Sequence, residues 1–225
     1  MSRIYIPATS AEQWAQFLAE PVKHWRTGFS ARTLAYSWQE AQGFPSEVQA
    51  VLSSAEPFAG IEVLLALPEH QVPLPGGSRP SQNDIWVLAR AGNALVSIAV
   101  EGKVAEPFGP TVEEWLAEGS PGKTARLEFL CSQLGLRAPV PGQVRYQLLH
   151  RAASAVIEAR RFCASHAVML VHSFSPARQW FSDYSAFAAL FNADVEANRV
   201  ASVGQSGAVQ LHLCWVCGNE QYLSK

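Results

Sequence analysis

Apolar positions in the first sixty residues recur at helical spacing. Ser10 precedes Trp14, Phe17 and Leu18; after Ser30 a stripe of Leu34, Ala35 and Trp38 runs toward Gly43; Pro45-Ser46 opens a third segment with Val48, Val51 and Leu52. Three short helices are predicted. From Ile61 the period changes. Residues 61–67 form an apolar run of strand length, a loop rich in Pro and Gly covers 73–80, and 85–90 and 95–103 read as strands around Gly92-Asn93. Gly-Asn between two such runs signals a two-residue hairpin.

Further along, a short helical piece is expected at 112–117 and helices at 125–134 and 143–164, followed by a buried-strand run over 166–171. A helix near 182–191 and closing strands at 199–203 and 208–216 complete the pattern. A long helix between extended segments suits a parallel crossover. The order around the middle, α-β-β-β-α-β, predicts an α/β fold with a mixed sheet. No linker interrupts it, so residues 1–225 read as one domain: a helical cap over 1–57, a core over 58–174, and a C-terminal helix and strands over 175–225.

Composition narrows the class. The 225 residues are 48% hydrophobic and include seven Trp, enough for a sizeable core and far from a disordered signature. A net charge of −2 argues against a broad basic surface for non-specific nucleic-acid binding. Residues 1–7 lack the apolar core of a secretion signal, and no apolar run reaches membrane-spanning length. Four cysteines are too few for a disulfide scaffold in a chain this long. These features predict a cytoplasmic protein with reduced thiols and no membrane partner.

The hairpin lets a register be worked out. With Gly92 and Asn93 as the turn, Ile85 faces Val100, Val87 faces Ile98 and Ala89 faces Val96, so six apolar residues share one face. A slip of one residue would scatter them. On the opposite face Asp84 falls across from Glu101, Trp86 across from Ala99 and Leu88 across from Ser97, with Lys103 projecting beside Glu101. Directly opposed carboxylates are destabilising without a compensating cation, which a divalent ion or a nearby ammonium supplies. The bland alternative is that both acids sit at frayed, solvated strand ends with Lys103 as an ordinary surface partner.

Asn83-Asp84, a hairpin and Glu101-Gly102-Lys103 within an α-β-β-β-α-β order resemble the core of the PD-(D/E)XK phosphodiesterase superfamily, the restriction-endonuclease-like fold, over about residues 46–174. The stretches 38–51, 81–109 and 146–176 also resemble a family of uncharacterised bacterial proteins. Asn83 stands where the superfamily motif has proline. The resemblance implies a nuclease in which Asp84, Glu101 and the Gly102 carbonyl ligate Mg²⁺ (or Mn²⁺), while Lys103 orients or deprotonates the attacking water. A further acid often comes from the element before the hairpin. Glu62 is the first choice for it and Glu47 the second.

On the helix after the hairpin, Gln147 with Arg151 and Gln147 with His150 share a face by spacing. The resemblance assigns Gln147 to the catalytic site, and Arg151 stands where related nucleases carry tyrosine. Arg151 and His150 become candidate substrate-binding residues, or polar groups of a solvated first turn. Other signals are set aside. Cys214 and Cys217 point to opposite faces of a strand; Gly122-Lys123-Thr124 lacks a preceding strand for a phosphate loop; Gly204-Gln205-Ser206-Gly207 reads as a turn; His166 and His172 bracket a buried strand. Two functions follow: a metal-dependent nuclease acting on nucleic acid, with a homodimer as one way around the acidic balance, or a catalytically inactive binding or interaction module of the same fold.

Overall fold

A computed structural model describes residues 8–225; the residues 1–7 read above for a leader lie outside it. Six strands form one mixed sheet: β1 (Glu62–Val72), β2 (Ser81–Ala91), β3 (Ala94–Lys103), β4 (His166–Ser173), β5 (Arg199–Ser206) and β6 (Val209–Cys217), in the order β1-β2-β3-β4-β6-β5. The pairs β1–β2, β2–β3 and β5–β6 are antiparallel, whereas β3–β4 and β4–β6 are parallel. Central β4 reads as an unbroken apolar run, His166-Ala-Val-Met-Leu-Val, because helices cover both its faces.

A 3₁₀ turn at Ala11–Phe17 and the helices α1 (Pro21–His24), α2 (Ser30–Ala41) and α3 (Ser46–Ser53) precede the sheet. After β3 come α4 (Val112–Leu116), α5 (Pro121–Leu134) and α6 (Tyr146–Arg161); α7 (Phe181–Ala188) follows β4. Among the described residues no helix is long and apolar enough to cross a membrane.

The hairpin register is the one its turn dictates: Ile85 pairs with Val100, Val87 with Ile98 and Ala89 with Val96. Those six side chains join Leu34, Trp38, Val48 and Leu52 in one apolar layer, so the N-terminal helices cover this face. The other face is not solvated. Trp86, Ala99 and Ser97 are buried beneath α6, and Trp86 Nε1 donates to Ser97 Oγ at 2.9 Å. A second apolar layer, with Leu148, Leu149, Ala152, Met169 and Trp215, packs there.

Several boundaries differ from the expectations, each for a local reason. The first strand continues through Pro68 to Val72, because Pro is tolerated on an edge strand that needs no N–H from it. Helix α6 begins at Tyr146 rather than 143, because Arg145 is held extended in a bridge to Thr111. The second helix stops at Ala41 with Gln42 in the left-handed region (φ 51°), one residue ahead of Gly43. The first predicted helix is a 3₁₀ segment. Gly122-Lys123-Thr124 lies inside α5, whose first residue is Pro121.

Gly122 has a packing reason. A Cβ there would meet the Gly76 carbonyl oxygen at 2.6 Å, so the 73–80 loop and α5 touch backbone to backbone. Beside this contact the buried Arg126 guanidinium donates to the carbonyls of Leu74, Pro75 and Gly77, pinning the loop that leads into β2.

Candidate active site

The polar end of the hairpin opens into a cavity of about 510 Å³. Asp84, Glu101 and Lys103 line it from the sheet, Gln147, His150 and Arg151 from α6, and Ser30 and Ala31 from the start of α2. The strand ladder ends at Ile85–Val100, and one step beyond it Asp84 Oδ2 accepts the Gly102 N–H at 2.8 Å. A glycine also suits the packing here: a Cβ would lie 3.1 Å from Leu34 Cδ2 of α2 and 3.4 Å from Asp84 Oδ2.

Glu101 is the most tightly held group. Its side chain is 3% exposed, yet it stays ionised among cations. Oε1 accepts from Lys103 Nζ at 2.6 Å and Gln147 Nε2 at 2.8 Å, and Oε2 accepts from Arg151 Nε at 2.5 Å. Burial alone would raise its pKa, but Arg151 and Lys103 overcome that and hold the carboxyl down at about 2. Lys103 Nζ also reaches Gln147 Oε1 at 3.4 Å and lies 4.9 Å from the centre of the Phe108 ring.

Asp84 has weaker support. The closest Arg151 nitrogen is 4.0 Å from its Oδ1, and its side chain is 22% exposed to the cavity. Recession from water, then the Glu101 charge, push its carboxyl up to about 7.

The sequence-chosen third acid is elsewhere. Glu62 is exposed at the opposite end of β1, where it pairs with Arg90. The physical reason is strand direction: β1 runs antiparallel to β2, so the end of β1, not its start, lies beside Asp84. Glu47 is also away from the cavity. Its Oε1 takes a hydrogen bond from His172 Nε2 at 3.1 Å, and Trp38 Nε1 donates to the other ring nitrogen.

The acid that does arrive is Glu69. The pairs Pro68–Ile85 and His70–Asn83 bracket it, so it stands across from Asp84 on β1. Glu69, Asp84 and Glu101 thus form a row of three carboxylates over three adjacent strands. Gln82 Nε2 donates to Glu69 Oε2 at 2.6 Å, while burial and then Asp84 raise its carboxyl to about 8. Glu69 has φ 53°, a left-handed backbone inside a strand, which a non-glycine residue adopts only at a cost. The signal was available in the antiparallel register, but it required a strand running beyond Pro68.

On α6 the spacing argument holds. Gln147 and Arg151 both engage Glu101, and Arg151 Nη1 also donates to Ser81 Oγ at 3.3 Å. His150 Nδ1 lies 2.7 Å from Ser81 Oγ, and burial followed by the Arg151 charge lowers its pKa well below 6.5. Among the described residues no three His, Cys, Asp or Glu side chains converge on a point where they could share an ion, since Glu101 is drawn to Lys103 and Arg151. Within the row, Asp84 has Arg151 at 4.0 Å as its ion-pair partner among the described residues, and Glu69 takes its hydrogen bond from the neutral Gln82 amide.

No curated protein and no solved structure matches the chain. A family model described as "Domain of unknown function (DUF6946)" matches residues 7–220, and the chain belongs to that family.

Proposed function

We propose that the protein is a divalent-metal-dependent phosphodiesterase acting on nucleic acid, built on a restriction-endonuclease-like core. The observation that carries the reading is the row Glu69–Asp84–Glu101 with Lys103 at its end, lining a cavity that a substrate can enter. The order α3-β1-β2-β3-α6-β4, with α4 and α5 inserted before α6, supports the resemblance drawn from Asp84 and Glu101-Gly102-Lys103.

The donor set fits Mg²⁺ or Mn²⁺, hard ions that take one or two carboxylates and keep several waters. Glu69 and Asp84 would hold the ion, because their raised carboxyls mark anionic forms that the protein's own cations offset only in part, a deficit that a divalent ion would fill. Glu101, with both oxygens already bonded, positions Lys103 and Arg151 instead of supplying a full ligand. The bound ion would polarise a phosphate oxygen and offset the charge that develops on it. Lys103, fixed by Glu101 and Gln147, orients the attacking water by hydrogen bonding, and Gly102 aims Asp84 through its N–H.

The test is cleavage of single- and double-stranded DNA and RNA with Mg²⁺ or Mn²⁺, comparing wild type with Asp84→Ala and Lys103→Ala. Loss of at least a hundredfold in both variants is expected; cleavage unchanged in both overturns the reading. One observation favours a second reading, an inactive binding module: Arg151 lies between Glu101 and Asp84, where its guanidinium serves as resident cation. That reading requires no Mn²⁺ binding by titration calorimetry and no cleavage of any of the four substrates.

A further inference from the structure

We propose that His150 presents a fixed N–H donor, the Nε2–H of a neutral imidazole, to a non-bridging phosphate oxygen of the substrate. The identity of the acceptor rests on the phosphodiesterase reading; the position of the proton rests on geometry alone.

Three groups at the back of the cavity determine that position. Ser81 Oγ and His150 Nδ1 are 2.7 Å apart, and Arg151 Nη1 lies 3.3 Å from the first and 3.4 Å from the second. A guanidinium carries only donors. Its N–H therefore faces lone pairs on the oxygen and on Nδ1, and a proton on Nδ1 would confront it with another donor. The Ser81 hydroxyl hydrogen has two acceptors in reach, Nδ1 at 2.7 Å and the His150 carbonyl at 3.3 Å. The shorter contact completes the same assignment. With Nδ1 accepting, a neutral ring keeps its proton on Nε2.

The surroundings keep the ring neutral. Burial, then the charges of Arg151, Arg126 and Lys103, oppose an imidazolium and outweigh the favourable charge of Glu101; Glu69 and Asp84 line the same cavity from the sheet. The Tyr146 ring, 4.9 Å away and tilted by 54°, restrains the imidazole plane, and Tyr146 is itself stacked on Trp115 at 3.9 Å. Among the described residues Nε2 has no hydrogen-bond partner, although the ring lines the cavity together with Glu69, Asp84 and Gln82.

A neutral donor suits this place. It can meet an anionic phosphate oxygen without adding a third positive charge that would compete for the carboxylates with an ion at Glu69 and Asp84. His150 is therefore a substrate-binding donor and not a general base: its only basic nitrogen, Nδ1, is spent on Ser81.

Two measurements test this. A long-range ¹H–¹⁵N spectrum of the uniformly labelled full chain, with His150 assigned by comparison with His150→Gln, should show Nε2 protonated and Nδ1 bare at pH 7. A proton on Nδ1, or on both nitrogens, overturns the proposal. The second measurement is fluorescence-anisotropy binding of a labelled single-stranded DNA oligonucleotide in Ca²⁺. His150→Ala should weaken binding at least tenfold, as expected for one hydrogen bond to a charged acceptor. His150→Gln, whose amide can replace the Nε2–H, should stay within threefold of wild type. Equal loss in both variants overturns the donor role. If wild type itself fails to bind the oligonucleotide, the phosphodiester acceptor is wrong, and the spectrum still decides the tautomer separately.

Discussion

Arg151 Nε donates to Glu101 Oε2 at 2.5 Å while a nitrogen of the same guanidinium stands 4.0 Å from Asp84 Oδ1. One side chain of α6 thus supports two acids on two different strands, strongly at one and weakly at the other. At Glu101 the Arg151 charge, with Lys103, outweighs burial and holds the carboxyl at about 2; at Asp84 burial and the Glu101 charge outweigh the more distant guanidinium and the carboxyl rises to about 7.

Arg151→Leu would leave Glu101 buried with Lys103 and Gln147 only. Removing one partner of a buried ion pair costs about 3–5 kcal/mol, because the remaining charge stays desolvated. Urea unfolding should show a loss of that order for Arg151→Leu and a clearly smaller loss for the double variant Arg151→Leu with Glu101→Gln.

Glu69→Gln should stabilise the chelator-treated protein at pH 8 and leave it nearly unchanged at pH 5. Glu69 and Asp84 have folded-state pKa values of about 8 and about 7, above their ordinary 4.5 and 3.8. Acids raised in this way contribute stability below their unfolded values and lose it as pH climbs through the folded ones. Removing one carboxylate relieves that loss. Thermal melts across this range check the sign, and added Mn²⁺ should raise the melting temperature of wild type more than that of the variant.

On the other layer, His212 is paired with His166, their ring nitrogens 3.0 Å apart, and burial lowers its pKa to about 4. A base depressed from 6.5 to about 4 makes the folded state lose stability as pH falls through that interval, by about 3 kcal/mol in all. His212→Leu should flatten the acid limb of the stability–pH curve. A limb unchanged in the variant would assign the acid sensitivity to other groups, such as buried His172.

Gly122→Ala sets helix propensity against backbone contact. Alanine inside a helix is favoured over glycine by about 1 kcal/mol. Here the new Cβ would stand 2.6 Å from the Gly76 carbonyl oxygen, a rigid neighbour, and overpacking of this kind costs about 1–3 kcal/mol. The contact wins, so the melting temperature should fall.

How far the sequence could be read depends on how local each determinant was. The hairpin register needed only Gly92-Asn93 and the alternation on either side, and it holds from Ala91–Ala94 to Ile85–Val100; past that ladder Asp84 bonds the Gly102 N–H, one residue on from the Glu101 expected opposite it. The face shared by Gln147 and Arg151 needed only helical spacing. Glu69 needed two non-local facts, that β1 passes through Pro68 and that it runs antiparallel to β2; without them the start of the strand supplied Glu62 instead. The burial of Trp86 and Ser97 was likewise hidden, because alternation along a strand says that two faces differ and not that a helix covers the more polar one.

Gly102 links two parts of the molecule that the chain keeps far apart. Its amide fastens Asp84, and its bare α-carbon leaves room for Leu34 of α2. The start of α2, four residues earlier, forms part of the cavity rim, with Ser30 N tied to Glu106 at 2.8 Å. A displacement of that helix is therefore transmitted through a single peptide unit to the carboxylate, so the entrance and the acidic floor cannot be remodelled independently. Loop grafting at the rim would detune the acid beneath it, whereas changes along the far edge at β5 leave it untouched.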